Sequence, residues 1–165
     1  MESRPKIQPE LSATDIIIEI AGWLALSVLW FITLYNYSKL PGSIPVHFNA
    51  AGNADSYGAK STIFLLPAIG TVLFIGMTIL NRFPYIFNYP VGINDGNALK
   101  QYTMATRLIR YLKLAFIFIF TTITWSTFSI SSGKQSGLGS LSLPLMLLII
   151  FIPLSIFIYK SFKAK

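Results

Sequence analysis

The chain has 165 residues, 53% of them hydrophobic and only 12% charged, with a formal net charge of +7 and no cysteine. The length implies one domain, the long charge-free apolar runs take the chain out of the soluble class, and the missing cysteine excludes disulfides and thiolate ligands or nucleophiles. Ten basic residues (Arg4, Lys6, Arg82, Lys100, Arg107, Arg110, Lys113, Lys160, Lys163 and Lys165) fall at the two ends and in the middle loop, against three (Lys39, Lys60 and Lys134) in the other two loops. That alternation follows the positive-inside rule and points to a membrane rather than nucleic acid.

Four runs carry no charged residue: Ile20 to Ser38, Ser61 to Asn81, Leu114 to Ile130 and Leu141 to Tyr159. Roughly 20 apolar residues span a bilayer as a helix, and in lipid an uninterrupted run satisfies its backbone only by being helical. The expectation is an all-α integral membrane protein, a single domain over 1–165, with helices near 15–37, 61–81, 105–130 and 141–160. Both termini and the middle loop are expected inside. The first run is too long and too poor in small residues after it to be a cleaved signal peptide.

The tail, Met1 to Ala13, carries Pro5 and Pro9 and is expected to be poorly ordered. Ser12 or Thr14 is the expected cap of the first helix. Asp15 and Glu19 then share one helix face. Asp15 suits the helix dipole, whereas Glu19 lies a turn deeper and needs a partner. Arg107 and Arg110 are the expected partners, in a structural ion pair. Trp30, Tyr35 and Tyr37 are expected at the interface.

The stretch from Leu40 to Lys60 is the long polar segment that reads as built. Pro41-Gly42 and Pro45 break any helix, Val46 to Asn49 alternates, and Ala50-Ala51-Gly52-Asn53 supplies turn chemistry, with Gly52 or Asn53 able to take positive φ. A short structured loop, hairpin-like and outside the membrane, is expected here. It contains the chain's one histidine, His47.

In the second helix Pro67 is expected to introduce a kink, with Ala68, Gly70 and Thr71 as a small-residue packing patch. Phe83 to Pro90 is aromatic and proline-broken, suited to an interface. Asn94 to Asn97 reads as a turn and helix start. From Ala98 a basic amphipathic lead-in runs into the third helix, where Lys100, Arg107, Arg110 and Lys113 read as snorkelling anchors. The hydroxyls of that helix are expected to bond locally. Ser129 to Ser142, rich in Gly and Ser, reads as flexible. No internal repeat stands out, which disfavours an inverted-repeat transporter.

The residues give weak support to chemistry. One histidine and no cysteine make a poor zinc site, and Asn49, Asn53 and Asp55 lack the charge of a calcium loop. Ser43 or Ser56 with His47 lacks a convergent pocket of the kind a nucleophile needs. No enzyme, metal or cofactor is therefore expected. His47 is expected either to pin the loop through Asp55 or Asn49, or to contribute to a binding surface.

The pattern Leu40-Pro41-x-x-Ile44-Pro45-x-His47-Phe48-Asn49-x-x-Gly52-x-x-Asp55-x-x-Gly58-x-Lys60 resembles the membrane module known as DUF1648, over about residues 24–75. That module also occurs in proteins of the SdpI type, which protect bacterial cells against a secreted toxin. The resemblance marks His47, Phe48, Asn49, Gly52, Asp55 and Lys60 as the proposed binding residues. It implies a multi-pass protein of the bacterial inner (cytoplasmic) membrane whose outer loop meets a peptide, toxin or envelope partner. The alternative is a small transport or accessory subunit using Glu19, the arginines and the Thr-rich third helix. The bilayer is the expected partner, nucleic acid is not, and a homo-oligomer is compatible with either reading.

Overall fold

The computed structural model describes residues 4–165. Four helices dominate: α1 (Ala13–Tyr37), α2 (Leu65–Leu80), α3 (Ala98–Ser131) and α4 (Ser142–Lys163), with an antiparallel hairpin of β1 (Ser43–Phe48) and β2 (Ala54–Ala59) between α1 and α2. All four helices, α2 taken with its 3-10 lead-in, are long and apolar enough to cross a membrane. This is a mostly helical, multi-pass membrane protein.

α1 starts at Ser12, whose hydroxyl accepts from the Asp15 amide while the Asp15 carboxylate accepts from the Ser12 amide. Two otherwise orphaned donors are thus satisfied at once. α2 is preceded by a 3-10 turn (Lys60–Phe64), so Pro67 falls in the first turn of the α-helix. There the missing N–H has no intrahelical acceptor to lose; the expected mid-helix kink is corrected to a helix start. α3 is one continuous element, and the basic lead-in and the third span are a single long helix. α4 carries Pro153 inside it.

α3 is the central element: α1, α2 and α4 all pack on it. Leu26, Leu29, Phe74 and Ile117 form a buried apolar layer where α1, α2 and α3 meet. A second cluster, Leu40, Ile44, Ile63 and Phe128, seats the hairpin on the ends of the helices. Gly70 belongs to the packing patch expected of it, because a Cβ there would lie 3.1 Å from Ile117 and Phe120. Trp30, expected at an interface, instead donates from Nε1 to Thr71 Oγ1 at 2.9 Å and ties α1 to α2.

Both ends of the described chain lie at one end of the bundle. The tail before α1 is expected to be loose, yet its described part is bonded. Arg4 donates to the Phe87 carbonyl at 2.6 Å and Tyr102 to the Pro5 carbonyl at 3.1 Å. Met1 to Ser3 lie outside the described residues. The Asn94 side chain accepts from the amides of Gly96 and Asn97, closing the turn that starts α3. Gln101, fully buried on α3, donates to the Ser161 and Ala164 carbonyls at 2.9 and 3.0 Å and accepts from the Ser161 hydroxyl. One amide thereby bonds to two of the carbonyls left open at the C-terminal end of α4. Nearby, burial pushes the Tyr89 phenol well above its ordinary pKa, with Tyr102 adding to the effect.

The opposite end holds the hairpin and the connection between α3 and α4. Sequence reading makes that connection flexible; the structure corrects this. The connection bridges to the hairpin tip through Asn53 and Gly137, and the Leu138 amide donates to the Gly52 carbonyl at 2.7 Å. Gly52 has φ +80°, and a Cβ on it would stand 2.5 Å from the Gly139 carbonyl oxygen. Of the two residues proposed for positive φ, it is Gly52 that adopts it, and no larger residue fits that crossing.

Candidate functional site

The hairpin is irregular where the chemistry sits. Ser43, Ile44 and Pro45 face Ala59, Gly58 and Tyr57 in register, then His47 faces Ser56 and Phe48 faces Ala54. Val46 on β1 and Asp55 on β2 are therefore left out of the ladder, a bulge on each strand. Bulges re-aim side chains, and here they break the alternation expected of Val46 to Asn49, leaving Val46 exposed. They also set Asp55 beside His47: Nδ1 lies 2.5 Å from Asp55 Oδ1. A carboxylate accepts only, so it selects the tautomer protonated at Nδ1 and leaves Nε2 to the outside.

The pair is not buried. The His47 side chain is 68% exposed and that of Asp55 41%. Exposed pairs contribute about 0–1 kcal/mol, so the contact orients His47 more than it stabilises the hairpin. Asn49 has a different task. Its Oδ1 accepts from the amides of Ala51 and Asn53 at 3.0 and 3.1 Å, which builds the turn. Tyr57 stands exposed beside the pair on the same hairpin.

Beneath the hairpin is an open cleft of about 700 Å³, walled by β1 and by the hairpin-side ends of α2, α3 and α4. His47, Phe48, Asn49 and Gly52 line it, along with apolar residues such as Leu66, Ile69, Ile123 and Met146. Of the proposed binding residues, these four share the cleft and Asp55 is bonded to one of them. Lys60 does not join them; its ammonium sits over the Tyr37 ring at 4.9 Å, at the foot of the hairpin. The cleft itself is not visible in the sequence, because its walls come from four separate segments.

The ionic cluster at the other end keeps Arg110 beside Glu19, as expected, but puts Lys113 where Arg107 was expected. Arg107 does not meet Glu19; it grips Asp15 through two bonds, Nε to Oδ1 at 2.8 Å and Nη2 to Oδ2 at 3.0 Å, and also reaches Ser12 Oγ. Glu19 is held by Lys113, with Arg110 at 3.7 Å. Lys113 is 1% exposed, donates to Thr78 Oγ1 at 2.7 Å, and lies 4.3 Å above the Phe74 ring. It is a buried ion-pair partner, not the snorkelling anchor its spacing suggests. The physical reason is rotation: α3 turns Lys113 toward α1 and α2, whereas Arg107, one and a half turns earlier, reaches only the mouth of the bundle.

The hydroxyls of α3 divide. Thr121, Thr122 and Thr127 donate to carbonyls four residues back, as expected, while Thr124 Oγ1 is buried without a partner among the described residues. Among the described residues no three His, Cys, Asp or Glu side chains come together as a metal site would need.

An uncharacterized protein of the archaeon Archaeoglobus fulgidus is 29% identical over 98 residues. The match covers 54% of each chain, so this chain spans about half the length of that relative. No solved structure matches. The residues that build the hairpin lie inside the family match: residues 24–71, from α1 through the hairpin into α2, match the model of the family described as Domain of unknown function (DUF1648).

Proposed function

We propose that the protein is a binding protein of the cell membrane, with its termini inside and its hairpin outside, and that the hairpin recognises a peptide or protein partner in the envelope. The observation carrying this reading is the preorganised but exposed His47–Asp55 pair. It is held on a hairpin braced by the Leu40–Ile44–Ile63–Phe128 cluster and by the second loop. A rigid scaffold that presents polar groups it does not need for stability is the usual arrangement of a binding loop. His47 offers Nε2 to the partner, Asp55 fixes the ring, and Tyr57 and Val46 supply exposed apolar area. Such a surface suits an immunity-like or sensing-like role without catalysis.

The transport alternative draws on the ionic cluster. It has less support, because a buried apolar layer of Leu26, Leu29, Phe74 and Ile117 fills the place where α1, α2 and α3 meet.

The test is photo-cross-linking in intact cells from a reactive residue at Ala50, compared with the same protein carrying His47→Ala. The expected outcome is an adduct lost in His47→Ala while the thermal melt stays unchanged. An adduct that survives both His47→Ala and Asp55→Ala in folded protein counts against the reading.

A further inference from the structure

The cleft beneath the hairpin has a polarity of its own. Three hydroxyls line it, and each is already committed: Thr62 donates to the Ala59 carbonyl, Thr127 to Ile123 and Ser142 to Leu138. The remaining wall is apolar. Uncommitted polar side-chain atoms border it on the hairpin, where His47 Nε2 and the Asn49 amide nitrogen have no protein partner among the described residues. Its volume lies within the range of about 300–1,000 Å³ usual for small-molecule sites.

The cleft also has a side entrance. α2 and α4 both wall it, yet α4 packs substantially on α3 and not on α2. The gap between them lies along the first turns of α2 and α4, within segments apolar enough to cross a membrane. Leu65 and Ile69 on one flank and Leu143 on the other remain about half exposed. In a bilayer such a gap faces hydrocarbon.

We propose that the cleft holds one acyl chain of a bilayer lipid, drawn from the leaflet on the hairpin side and entering between α2 and α4, with its headgroup at His47 and Asn49. A polypeptide fits less well. Each peptide unit brought into the cleft needs hydrogen-bond partners, and the walls have none to give. β1 is a poor template for an added strand, since Pro45 has no N–H and Val46 is bulged out of the ladder. An acyl chain carries no such demand. It fills apolar space and leaves the one polar part of the lipid at the one polar part of the site. The two readings share His47, but labelling of the apolar walls by an acyl chain does not depend on a hairpin partner, so either reading can fail alone.

The experiment uses the full chain reconstituted in phosphatidylcholine bilayers that contain a lipid with a diazirine part-way along its acyl chain. After irradiation, labelled positions are mapped by peptide mass spectrometry. Labelling is expected to be several-fold denser on Leu66, Ile69, Ile123 and Met146 than on Phe31, Val72 and Leu145, which are exposed on the helix flanks. Ile69→Trp and Ile123→Trp fill the cleft from different walls, and each should remove the excess without changing label at the flank positions. Retained flank labelling and an unchanged melt report that a variant is folded; if one variant unfolds, the other and the wild-type contrast decide. Even labelling of both sets overturns the proposal, as does cross-linking of the cleft residues to a second copy of the chain in place of lipid.

Discussion

At the scale of single residues, the buried charge is the costliest feature of the molecule. Lys113 makes contact with a carboxylate, a hydroxyl and an aromatic face at once, and all three compensate for its lost hydration. Removing one member of a buried pair strands the other. Lys113→Met should therefore destabilise the fold by about 3–5 kcal/mol, leaving Glu19 with Arg110 alone at 3.7 Å. Adding Glu19→Leu should recover much of that loss, because the stranded carboxylate is gone and Arg110 keeps Asp15 at 3.9 Å. A double-mutant cycle read by unfolding in mixed detergent checks the sign and size of the coupling. Additive effects would show that the two side chains do not act as a pair. The outer pair, Asp15 with Arg107, differs in setting: Arg107 is 44% exposed but Asp15 only 3%, so losing Arg107 would strand a buried carboxylate with Ser12 and with Arg110 at 3.9 Å.

At the scale of elements, the close approach of α1 and α2 rests on the absence of a side chain at Gly22. A Cβ there would lie 2.8 Å from Phe74 Cε2, in the ring that also packs edge-on to Trp23 at 4.8 Å and lies beneath Lys113. Gly22→Ala gains helix propensity but forces that ring to move, and overpacking of this kind costs about 1–3 kcal/mol. Gly76 gives the matched contrast, since nothing lies within 4 Å of a Cβ placed there. Gly76→Ala should leave stability unchanged or raise it by up to about 1 kcal/mol. The thermal melt of Gly22→Ala should therefore fall while that of Gly76→Ala stays or rises. A stabilised Gly22→Ala protein would mean that the Phe74 ring relaxes freely and that the α1–α2 contact does not depend on Gly22.

At the scale of the whole molecule, the arrangement has two chemically different ends. The two ends of the described chain, the connection from α2 to α3 and the ionic cluster lie at one; the hairpin, the cleft and the glycine crossing lie at the other. With most basic residues at the first end, that end should face the cytoplasm. The cysteine-free chain allows a direct check with single cysteines at Ala51, Gly96 and Ser136, labelled from outside intact cells. Ala51 and Ser136 should react and Gly96 should not. Reaction of Gly96 alone would invert the orientation and move the search for a hairpin partner to the inside of the cell.

The sequence by itself determined what rests on local rules. Four helices follow from the length of apolar runs in a solvent that offers the backbone no hydrogen bonds, and the capping chemistry of Ser12 or Thr14 announces the first of them. Pro45, Gly52 and the residues around them place a turn between two short strands, and the DUF1648 pattern lies over that hairpin. Tertiary structure alone decided what depends on helix rotation and on distant segments meeting. Two acids on one face and several bases along another admit more than one pairing, and only the packing of α3 assigns Asp15 to Arg107 and Glu19 to Lys113. The Gly/Ser connection after α3 has no pattern of its own, yet it docks because Gly52, Gly137 and Gly139 let two backbones cross. The cleft exists because α4 leans on α3 and leaves α2 uncovered, a relation that neither span carries in its own residues.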